Sequence, residues 1–412
     1  MLVAVFMLFV VGGMAALSID AVTIYTARSE AQLAADGAAL AAARMLANSG
    51  MTSNAPGLTA AAETLAGAVA IQVAQNSLVG GRYLVATNGE VTVSFSVGTT
   101  TNPKVTVRTQ RTDLPTFFAR IWGSTQITVA ASATAEAYNP SGAVLSSGTS
   151  APPVEPICVK PWLLPNIDPT NPASTIFGTD GSITNSNLLG WSSGAQMTFA
   201  CGPTGNCLSG ALPAPVAWNY YPGDQSSFPA PTTALPTCSP ALTTNYQQSI
   251  AGCVQLPISC HSSVADPANI DLTAYGPRDA DTANALNCLT HAATGGGDTL
   301  TSTAPPTTPF EFVAGNDNPV VLANPSLALS NVMVSDSLVT VPVFDQTAFG
   351  PGSTNVPIIG FVQLFLNPSG LAVTSASINT TIVNMAGCGT NVGGAPILGN
   401  GASPVAVRLI SP

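Results

Sequence analysis

The sequence predicts an α+β protein. An N-terminal transmembrane helix continues into an amphipathic stalk, followed by a small α+β module and a strand-dominated, mixed α/β domain that contains disulfides. Three observations support this prediction. Residues 1–19 carry no charge, and no Pro interrupts the alanine-rich run that continues to Asn48. The hydrophobic period changes from helical to alternating after Ser77. All eight Cys residues lie beyond residue 157.

The first segment is long enough to cross a bilayer. A membrane-spanning helix needs about 20 apolar residues, so we predict a transmembrane helix over residues 1–24 within one helical segment over residues 1–50. Tyr25 suits the membrane interface. A carboxylate is costly in hydrocarbon, so we expect Asp20 either at the outer boundary of the membrane or in contact with a partner helix.

A cleavable signal peptide is the alternative interpretation of this segment. It would need a basic start and a small-residue cleavage site, which Ala15 and Ala16 could provide. No Lys or Arg precedes the apolar run, and the helical pattern continues past it. We therefore expect an uncleaved anchor.

Charge is sparse and unevenly distributed. Charged residues make up 7% of the chain, against about 25% in typical soluble domains. Acidic and basic residues balance in residues 1–138, so the net charge of −10 comes from the remainder of the chain. This composition is common in exported proteins, and it argues against a nucleic-acid partner, which would need a basic surface.

The cysteines favour disulfide bonds over zinc. An even number of Cys in an exported domain is typical of disulfides. No C-x-x-C pair is present, and His261 and His291 do not have the spacing of a zinc finger. The pairing is left open. The disulfide candidates are Cys158, Cys201, Cys207, Cys238, Cys253, Cys260, Cys288 and Cys388.

Elements beyond the first helix follow from periodicity and turn residues. Residues 51–138 form the small module, residues 139–156 are a linker rich in Ser, Gly and Pro, and residues 157–412 form the acidic Cys-containing domain. The module's predicted elements are a helix over Leu58–Ser77, strands over 82–85, 91–97 and 105–109 with a hairpin turn at Asn88-Gly89, a short helix over 114–122 that opens near Pro115, and a strand over 125–138. The predicted elements of the acidic Cys-containing domain are a helix over Asp279–Ala293 and strands over 310–313, 319–322, 339–344, 357–366, 376–385 and 405–410.

We find no sequence pattern for an enzyme or a cofactor site. The chain lacks G-x-S-x-G, a P-loop and H-E-x-x-H. His291 suits the end of a helix, and His261 suits a surface loop. Several acids could surround Ca²⁺, although their spacing fits no known loop and helix capping explains them equally. These acids are Asp266, Asp271, Asp279, Asp281 and Asp298.

Two blocks of the sequence resemble the TadE/TadG-like family. The first runs from Ser18-Ile19-Asp20 through Tyr25-Thr26-Ala27-Arg28 to the stripe at 32–41, in which Gly37 replaces the usual Ala. The second comprises residues 114–123 and 129–137, so the resemblance extends over about residues 1–138. It implies a single-pass envelope protein linked to the tight-adherence (Flp) pilus, with the membrane and other pilus-assembly proteins as partners.

Two features of related proteins are weak or absent here. Some TadG-like proteins carry a von Willebrand A domain with a D-x-S-x-S metal site. The nearest match, Asp180-Gly181-Ser182-Ile183-Thr184, ends in Thr and is typical of a turn. A prepilin cleavage site is not apparent, because Gly12 and Gly13 are not followed by Glu at the required spacing. We predict no metal site and no processing as a pilin.

Small residues give the helix a narrow docking seam. Gly12, Gly13, Ala15 and Ala16 permit close approach within a membrane, and Leu33, Ala34, Gly37, Ala38 and Ala41 continue the seam beyond it. The seam could dock on the module's own strands or on a partner helix. The helix-docking candidates are Asp20, Tyr25, Arg28, Gln32, Asp36, Gly37 and Ala38.

These observations predict a non-enzymatic envelope protein with a structural or assembly role in a tight-adherence pilus or a related secretion apparatus. We expect it in the bacterial inner membrane, with its C-terminal part in the periplasm or outside the cell. The alternatives are a surface adhesin or ligand-binding ectodomain, which could depend on a cation, and an exported hydrolase of unrecognised type. The oligomeric state is left open.

Overall fold

The computed structural model describes residues 2–48, 58–98, 101–138, 158–179, 184–185, 188, 190–191, 196–200, 214–222, 238–254, 258, 279–292, 296–301, 310–332, 335–348, 356–388 and 406–411. Within these residues, buried apolar side chains form one N-terminal core and two C-terminal clusters. The C-terminal clusters lie in the strand-rich part of the chain.

The helices are α1 (Leu2–Asn48), α2 (Leu58–Gln75), α3 (Asn245–Ala251), α4 (Asp279–Leu289) and α5 (Pro319–Ala323). Alanine, the residue with the highest helix propensity, recurs along α1 and α2. On α2 the alanines four residues apart form one buried face, which consists of Ala62, Ala66, Ala70 and Ala74. Small side chains allow α2 to approach α1 closely.

The strands follow in chain order. They are β1 (Leu78–Val79), β2 (Arg82–Tyr83), β3 (Val91–Gly98), β4 (Thr101–Pro115), β5 (Gln126–Tyr138), β6 (Trp162–Pro165), β7 (Gln196–Phe199), β8 (Asn219–Pro222), β9 (Thr299–Thr301), β10 (Glu311–Val313), β11 (Asn331–Val332), β12 (Leu338–Phe344), β13 (Ile358–Leu366), β14 (Ile378–Gly387) and β15 (Ala406–Ser411). Short 3-10 helices cover 86–88, 119–122, 325–327 and 346–348.

The N-terminal sheet combines strands from both ends of the chain. Its order is β15-β5-β4-β3, with every pair antiparallel. The α1 helix packs on β4, β5 and β15, so the sheet and α2 enclose its second half. Arg408 on β15 donates from Nε to Oε1 of the buried Glu136 on β5 at 2.7 Å. The last strand therefore completes the sheet that supports the first helix.

The C-terminal strands form a closed barrel in the order β12-β13-β14-β7-β8-β6. Antiparallel pairing links β12, β13 and β14, and β6 joins β12 in parallel. Every side chain of β13 except Ile359 is buried, as expected for a strand covered on both faces. A second sheet has the order β11-β10-β9.

Most of the predicted long elements are confirmed, two shorter predictions are wrong, and one short helix is confirmed only in its second half. Residues 319–322 form α5 and not a strand, because the Asn318 side chain caps the helix by accepting from the Val320 N–H at 2.9 Å and Pro319 occupies its first turn. The Asn88-Gly89 hairpin is also wrong, because β2 pairs with β1 and Gly89 instead ends a 3-10 turn. Of the short helix predicted over 114–122, the second half is a 3-10 helix that begins at Ala119, whereas β4 continues to Pro115.

Two disulfides connect elements of the C-terminal region. Cys158 is bonded to Cys253, and Cys238 is bonded to Cys288. Cys388 is also disulfide-bonded, and no described Cys is free. The predicted use of cysteine is confirmed at these positions. Candidates at 201, 207 and 260 lie outside the described residues.

A hydrogen bond from Asn384 joins α1 to the barrel. Asn384 on β14 is fully buried, and its Nδ2 donates to the Ala47 carbonyl at 2.8 Å and to Oε1 of Gln363 at 3.0 Å. The last carbonyls of a helix lack partners within the helix, so Asn384 satisfies one of them. The C-terminal end of α1 is thereby attached to the barrel.

Candidate membrane anchor and docking surface

The first part of α1 is an apolar segment in which no described side chain is buried. Within this apolar segment, residues 2–19, every side chain that the structure describes is exposed or partly exposed. Val3 is 74% exposed and Met14 is 70% exposed. A contiguous exposed apolar surface of this kind marks a contact with a membrane or a protein.

Length and composition also allow this helix to span a membrane. Within the described residues, one helix is long and apolar enough, over Val10–Ala47, and few residues of its most apolar window are buried. The core helix of a soluble protein would be mostly buried. A signal sequence near an N-terminus meets the same criteria, so this observation supports membrane insertion without deciding on cleavage.

Asp20 marks the point where α1 begins to pack. It is 4% exposed, and its carboxylate accepts three backbone hydrogen bonds from the loop after β4. The Phe117 N–H donates to Oδ1 at 2.8 Å, and the N–H groups of Phe118 and Ala119 donate to Oδ2 at 3.0 and 2.6 Å. The carboxylate thus lies at the start of the 3-10 helix Ala119–Trp122, where free N–H groups attract an anion.

The sequence predicts Asp20 at the outer boundary of the membrane or in contact with a partner helix. The structure adds a role within the chain, as an acceptor for the backbone of the β4–β5 hairpin. Hydrogen bonding to donors compensates a buried charge for its lost hydration. The partners lie 97 or more residues away along the chain, and no local pattern in the sequence identifies them. Asp20 fixes the β4–β5 hairpin to the helix.

The other docking candidates divide into exposed and buried positions. Tyr25 is 76% exposed, and Arg28 is exposed as well. Nε2 of Gln32 donates to Oδ1 of Asp36 at 2.8 Å and to the Ser132 carbonyl on β5 at 3.2 Å. The contact with Ser132 places Gln32 against the module's own sheet.

Ala38 belongs to a buried alanine face on α1. This alanine face comprises Ala27, Ala31, Ala34, Ala35, Ala38, Ala39, Ala42 and Ala43. A Cβ added to Gly37 would lie 3.9 Å from Cγ1 of Val73 on α2, which is an ordinary contact. Leu33, which we placed in the seam, is 74% exposed. The intramolecular docking that the sequence left open therefore occurs at Ala34, Gly37 and Ala38.

Contacts along α1 establish which end of the module lies nearest to the apolar segment. Oγ1 of Thr109 donates to the Ala31 carbonyl at 2.8 Å, and the Gly80 N–H donates to Oε2 of Glu30 at 2.6 Å. These contacts lie ten or more residues beyond Asp20, or about 15 Å at a helical rise of 1.5 Å per residue. The β4–β5 turn is therefore the end of the module next to the apolar segment.

Charged side chains on the module pair with each other. Nη2 of Arg82 contacts Oε1 of Glu90 at 2.5 Å and Oδ1 of Asp113 at 2.9 Å, and Nε of Arg111 donates to the same Asp113 oxygen at 2.9 Å. Hydrogen bonds from Arg82 and Arg111 lower the pKa of the Asp113 carboxyl, and those to Glu90 and Asp113 raise the pKa of Arg82. This network stabilises the hairpin between β1 and β2.

Lys160 is the main buried cation of the C-terminal region. Its Nζ donates to the carbonyls of Ile250 and Gly252 at 2.6 and 2.9 Å, at the C-terminal end of α3. Burial lowers the pKa of Lys160 to about 8, while the Asp336 charge acts in the opposite direction. A donor at the end of a helix has a sufficient structural role.

The acids considered for Ca²⁺ do not converge in the described residues. Both oxygens of Asp298 accept hydrogen bonds, from the Gly315 N–H, Nδ2 of Asn318 and Oγ of Ser335. Asp281 accepts from Gln247. Among described residues no group of three or more His, Cys, Asp or Glu could hold a metal.

The remaining candidates are either paired or undescribed. Nε2 of His291 lies 2.9 Å from Oδ2 of Asp336, and α4 ends two residues earlier, at Leu289. Thr184 donates from Oγ1 to the Ile176 carbonyl at 3.0 Å. Asp180, Asp266, Asp271 and His261 lie outside the described residues.

Comparison with known proteins identifies the N-terminal segment. Residues 1–45 match the family model described as Flp pilus-assembly TadE/G-like. The match covers nearly all of α1 and confirms the predicted family resemblance there, whereas the resemblance of the block at 114–137 stays a prediction. No curated protein and no solved structure matches the chain.

Proposed function

We propose that this chain is a single-pass envelope protein with a structural, non-enzymatic role in the assembly of a tight-adherence pilus or a related secretion apparatus. The apolar segment would cross the bacterial inner membrane. The N-terminal module and the disulfide-bonded barrel would lie in the periplasm or outside the cell. The family match of residues 1–45 supports the pilus connection.

One observation carries the proposal: the described side chains of α1 before Asp20 are exposed or partly exposed, whereas one face of the helix after Asp20 is packed. None of the described apolar side chains before Asp20 is buried, and after it the alanine face is buried by the sheet and α2. In water an exposed apolar helix is unfavourable, whereas in a bilayer the lipid chains would cover its apolar side chains. The disulfides beyond α1 favour an oxidising compartment for the folded part.

Membrane insertion is tested with matched charge substitutions on the two halves of α1. The double variant Val11→Arg with Met14→Arg places two cations in the apolar segment, where each costs about 3 kcal/mol near the centre of a bilayer. We expect it to leave the membrane fraction on alkaline carbonate extraction while the wild type stays.

The control is Leu33→Arg, because Leu33 is equally exposed but lies on the packed half of the helix. It should stay in the membrane fraction like the wild type. Retention of the double variant, or equal release of the Leu33→Arg variant, would exclude the apolar segment as the anchor. An intact mass that lacks residues 1–16 in the mature protein would instead assign this segment as a cleaved signal peptide.

The assembly role is tested by chemical cross-linking in native membranes. Gly12 and Gly13 have open space around them, so a partner helix could approach there. We expect envelope proteins of the pilus apparatus to be cross-linked to the wild type, and Gly13→Leu to reduce this capture without changing the module's stability. Capture that is identical in the wild type and in Gly13→Leu would remove this surface from the proposal.

A further inference from the structure

The turn between β4 and β5 forms a compact tip at one end of the module. This tip, residues 116–125, starts after Pro115 and ends before Gln126, and those two residues are cross-strand partners. The Thr116 N–H donates to the Thr125 carbonyl at 3.4 Å, and Oγ1 of Thr116 donates to the Ser124 carbonyl. These bonds give the tip a defined shape.

Asp20 holds this tip beside the last residues of the apolar segment. The three backbone bonds to its carboxylate come from within the tip, at Phe117, Phe118 and Ala119. Hydrogen bonds between α1 and the two strands of this hairpin are found at Ala31 and Gln32, about 16 Å farther along the helix. If the apolar segment spans a membrane, the tip lies at the membrane surface.

The chemistry of the tip suits that location. Phe117 is 60% exposed although it is a large apolar side chain. Arg120, the single charged residue of the tip sequence, is exposed as well. Exposed Phe side chains occur on surfaces that insert at the boundary between headgroups and acyl chains, and cations are attracted to anionic headgroups. The exposed charge of the tip is thus positive in a chain whose net charge is −10, whereas the Asp20 carboxylate beneath the tip is buried.

We propose that the tip is a second membrane contact, in which Phe117 enters the headgroup region of the bilayer and Arg120 pairs with lipid phosphates. This inference rests on the proposed membrane anchor. Two contacts, the helix and the tip, would fix the tilt of the module relative to the membrane. The acidic barrel, attached at the opposite end of α1 through Asn384, would be held away from the anionic surface.

Photo-cross-linking to lipid tests the tip and the anchor separately. The full chain is reconstituted into vesicles of phosphatidylethanolamine and alkyne-labelled phosphatidylglycerol. Three variants carry the photoreactive residue p-benzoylphenylalanine in place of Val11, Phe117 or Tyr83. Tyr83 is an exposed aromatic on the β1–β2 hairpin, which contacts α1 at Glu30 and so lies about 15 Å beyond Asp20.

The expected result is lipid adducts at positions 11 and 117, and at least tenfold fewer at position 83. Adducts at position 11 alone would overturn the tip contact and leave the anchor intact. Adducts at none of the positions would overturn both proposals. Equal adducts at 117 and 83 would show that the module lies flat on the membrane, which also overturns the tip as a specific contact.

The role of Arg120 is tested in the background of the position 117 probe. Arg120→Glu should lower the adduct yield at 117 severalfold in phosphatidylglycerol vesicles and leave the yield at 11 unchanged. Arg108→Glu is the matched control. Arg108 is also an exposed cation, but it lies on β4 beside Thr109, which contacts α1 at Ala31, and is therefore farther from the apolar segment than Arg120 is. Equal effects of the two substitutions would contradict a specific pairing of Arg120 with lipid phosphates.

Discussion

The two main hydrophobic cores of this protein are built from different side chains. In the N-terminal core, alanine supplies most of the buried side chains, and no aromatic ring is fully buried among the residues described there. The larger C-terminal core instead holds the buried rings of Trp162, Phe177, Trp218, Tyr220, Tyr246, Phe310, Phe312 and Phe365. Several pair directly, including Phe312 and Phe365, which stack with ring centroids 5.6 Å apart.

This difference in side-chain size predicts that the two cores respond in opposite ways to substitutions that add or remove volume. An alanine side chain buries little area, so the N-terminal core depends on close approach of backbones and on high helix propensity. An aromatic side chain buries 150–250 Å², so the C-terminal core depends on filling large volumes, and it is further constrained by disulfides. We expect the first core to be damaged by added volume and the second by removed volume or by reduction.

Disulfide reduction should have the largest effect, and only on the C-terminal core. The bonds Cys158–Cys253 and Cys238–Cys288 close segments with sequence separations of 95 and 50. Loss of a native disulfide typically costs about 2–5 kcal/mol. Hydrogen exchange with and without a reductant should therefore show lost protection in β12–β14 and unchanged protection in β3–β5.

The N-terminal sheet serves as the internal control, because no Cys occurs before residue 158. Equal loss of protection in both regions would mean that the two cores unfold as one cooperative unit. In that case the attachment of Ala47 to Asn384 would couple them more strongly than their different compositions suggest.

Truncation of one aromatic side chain should be the next largest effect. Phe365 is fully buried and stacks on Phe312, so Phe365→Ala should destabilise the barrel by about 3–5 kcal/mol through lost burial and a cavity. Denaturant unfolding measures this change. Phe117→Ala is the control, because Phe117 is exposed, and it should shift stability by less than about 0.5 kcal/mol. Similar losses for both would contradict the assigned core.

Because of Lys160, the stability of the barrel region should change with pH in the alkaline range. Burial lowers its pKa from 10.5 to about 8 in the folded chain. As the pH falls, the unfolded chain therefore binds the proton before the folded chain does. The free energy of unfolding decreases as the pH falls from about 10.5 to about 8. Relative to Lys160→Met, the wild type should gain on the order of 3 kcal/mol across this interval as the pH rises.

The comparison of the two proteins over the same pH range removes the contributions of other titrating groups. A difference in unfolding free energy that does not change with pH would show that Lys160 titrates normally in the folded state. The N-terminal core contains no fully buried lysine among its described residues, and its hydrogen-exchange protection should be the same in both proteins.

The two regions also differ in how far the sequence predicts them. The regular spacing of alanine on α1 and α2 and the alternation in β3 and β5 are local signals, and they predict these four elements with small errors at their ends. The Asn88-Gly89 turn and the start of the short helix after β4 were not predicted correctly. The barrel strands β12 and β13 were recognisable as apolar runs. At 319–322 the apolar run was interpreted as a strand, although Asn318-Pro319 is a helix-start signal.

The contacts that define the candidate site could not be predicted, because they join distant parts of the chain. The partners of Asp20 lie in a hairpin 97 or more residues away. The strand β15 was predicted, but its pairing with β5 connects residues as far apart as Arg408 and Glu136, separated by 272 positions. Local periodicity specifies which segments form helices and strands, and the tertiary arrangement decides which of them meet.

The smallest expected effects come from adjacent substitutions on α1. Ala38 is fully buried in the alanine face, so Ala38→Leu should destabilise the N-terminal module by about 1–3 kcal/mol through overpacking. Gly37 has room for a methyl group, since a Cβ there would lie 3.9 Å from Val73. Gly37→Ala should instead stabilise the module by up to about 1 kcal/mol, because alanine has the higher helix propensity.

The opposite signs of these neighbouring changes make the pair informative. Both variants retain the apolar segment, so both should stay in the membrane fraction, and thermal unfolding of the purified proteins measures the difference. If Ala38→Leu were tolerated as well as Gly37→Ala, the alanine face would have space for larger side chains. Close approach would then not be what stabilises the N-terminal core, and the small residues of α1 would more simply be explained by contact with a partner helix.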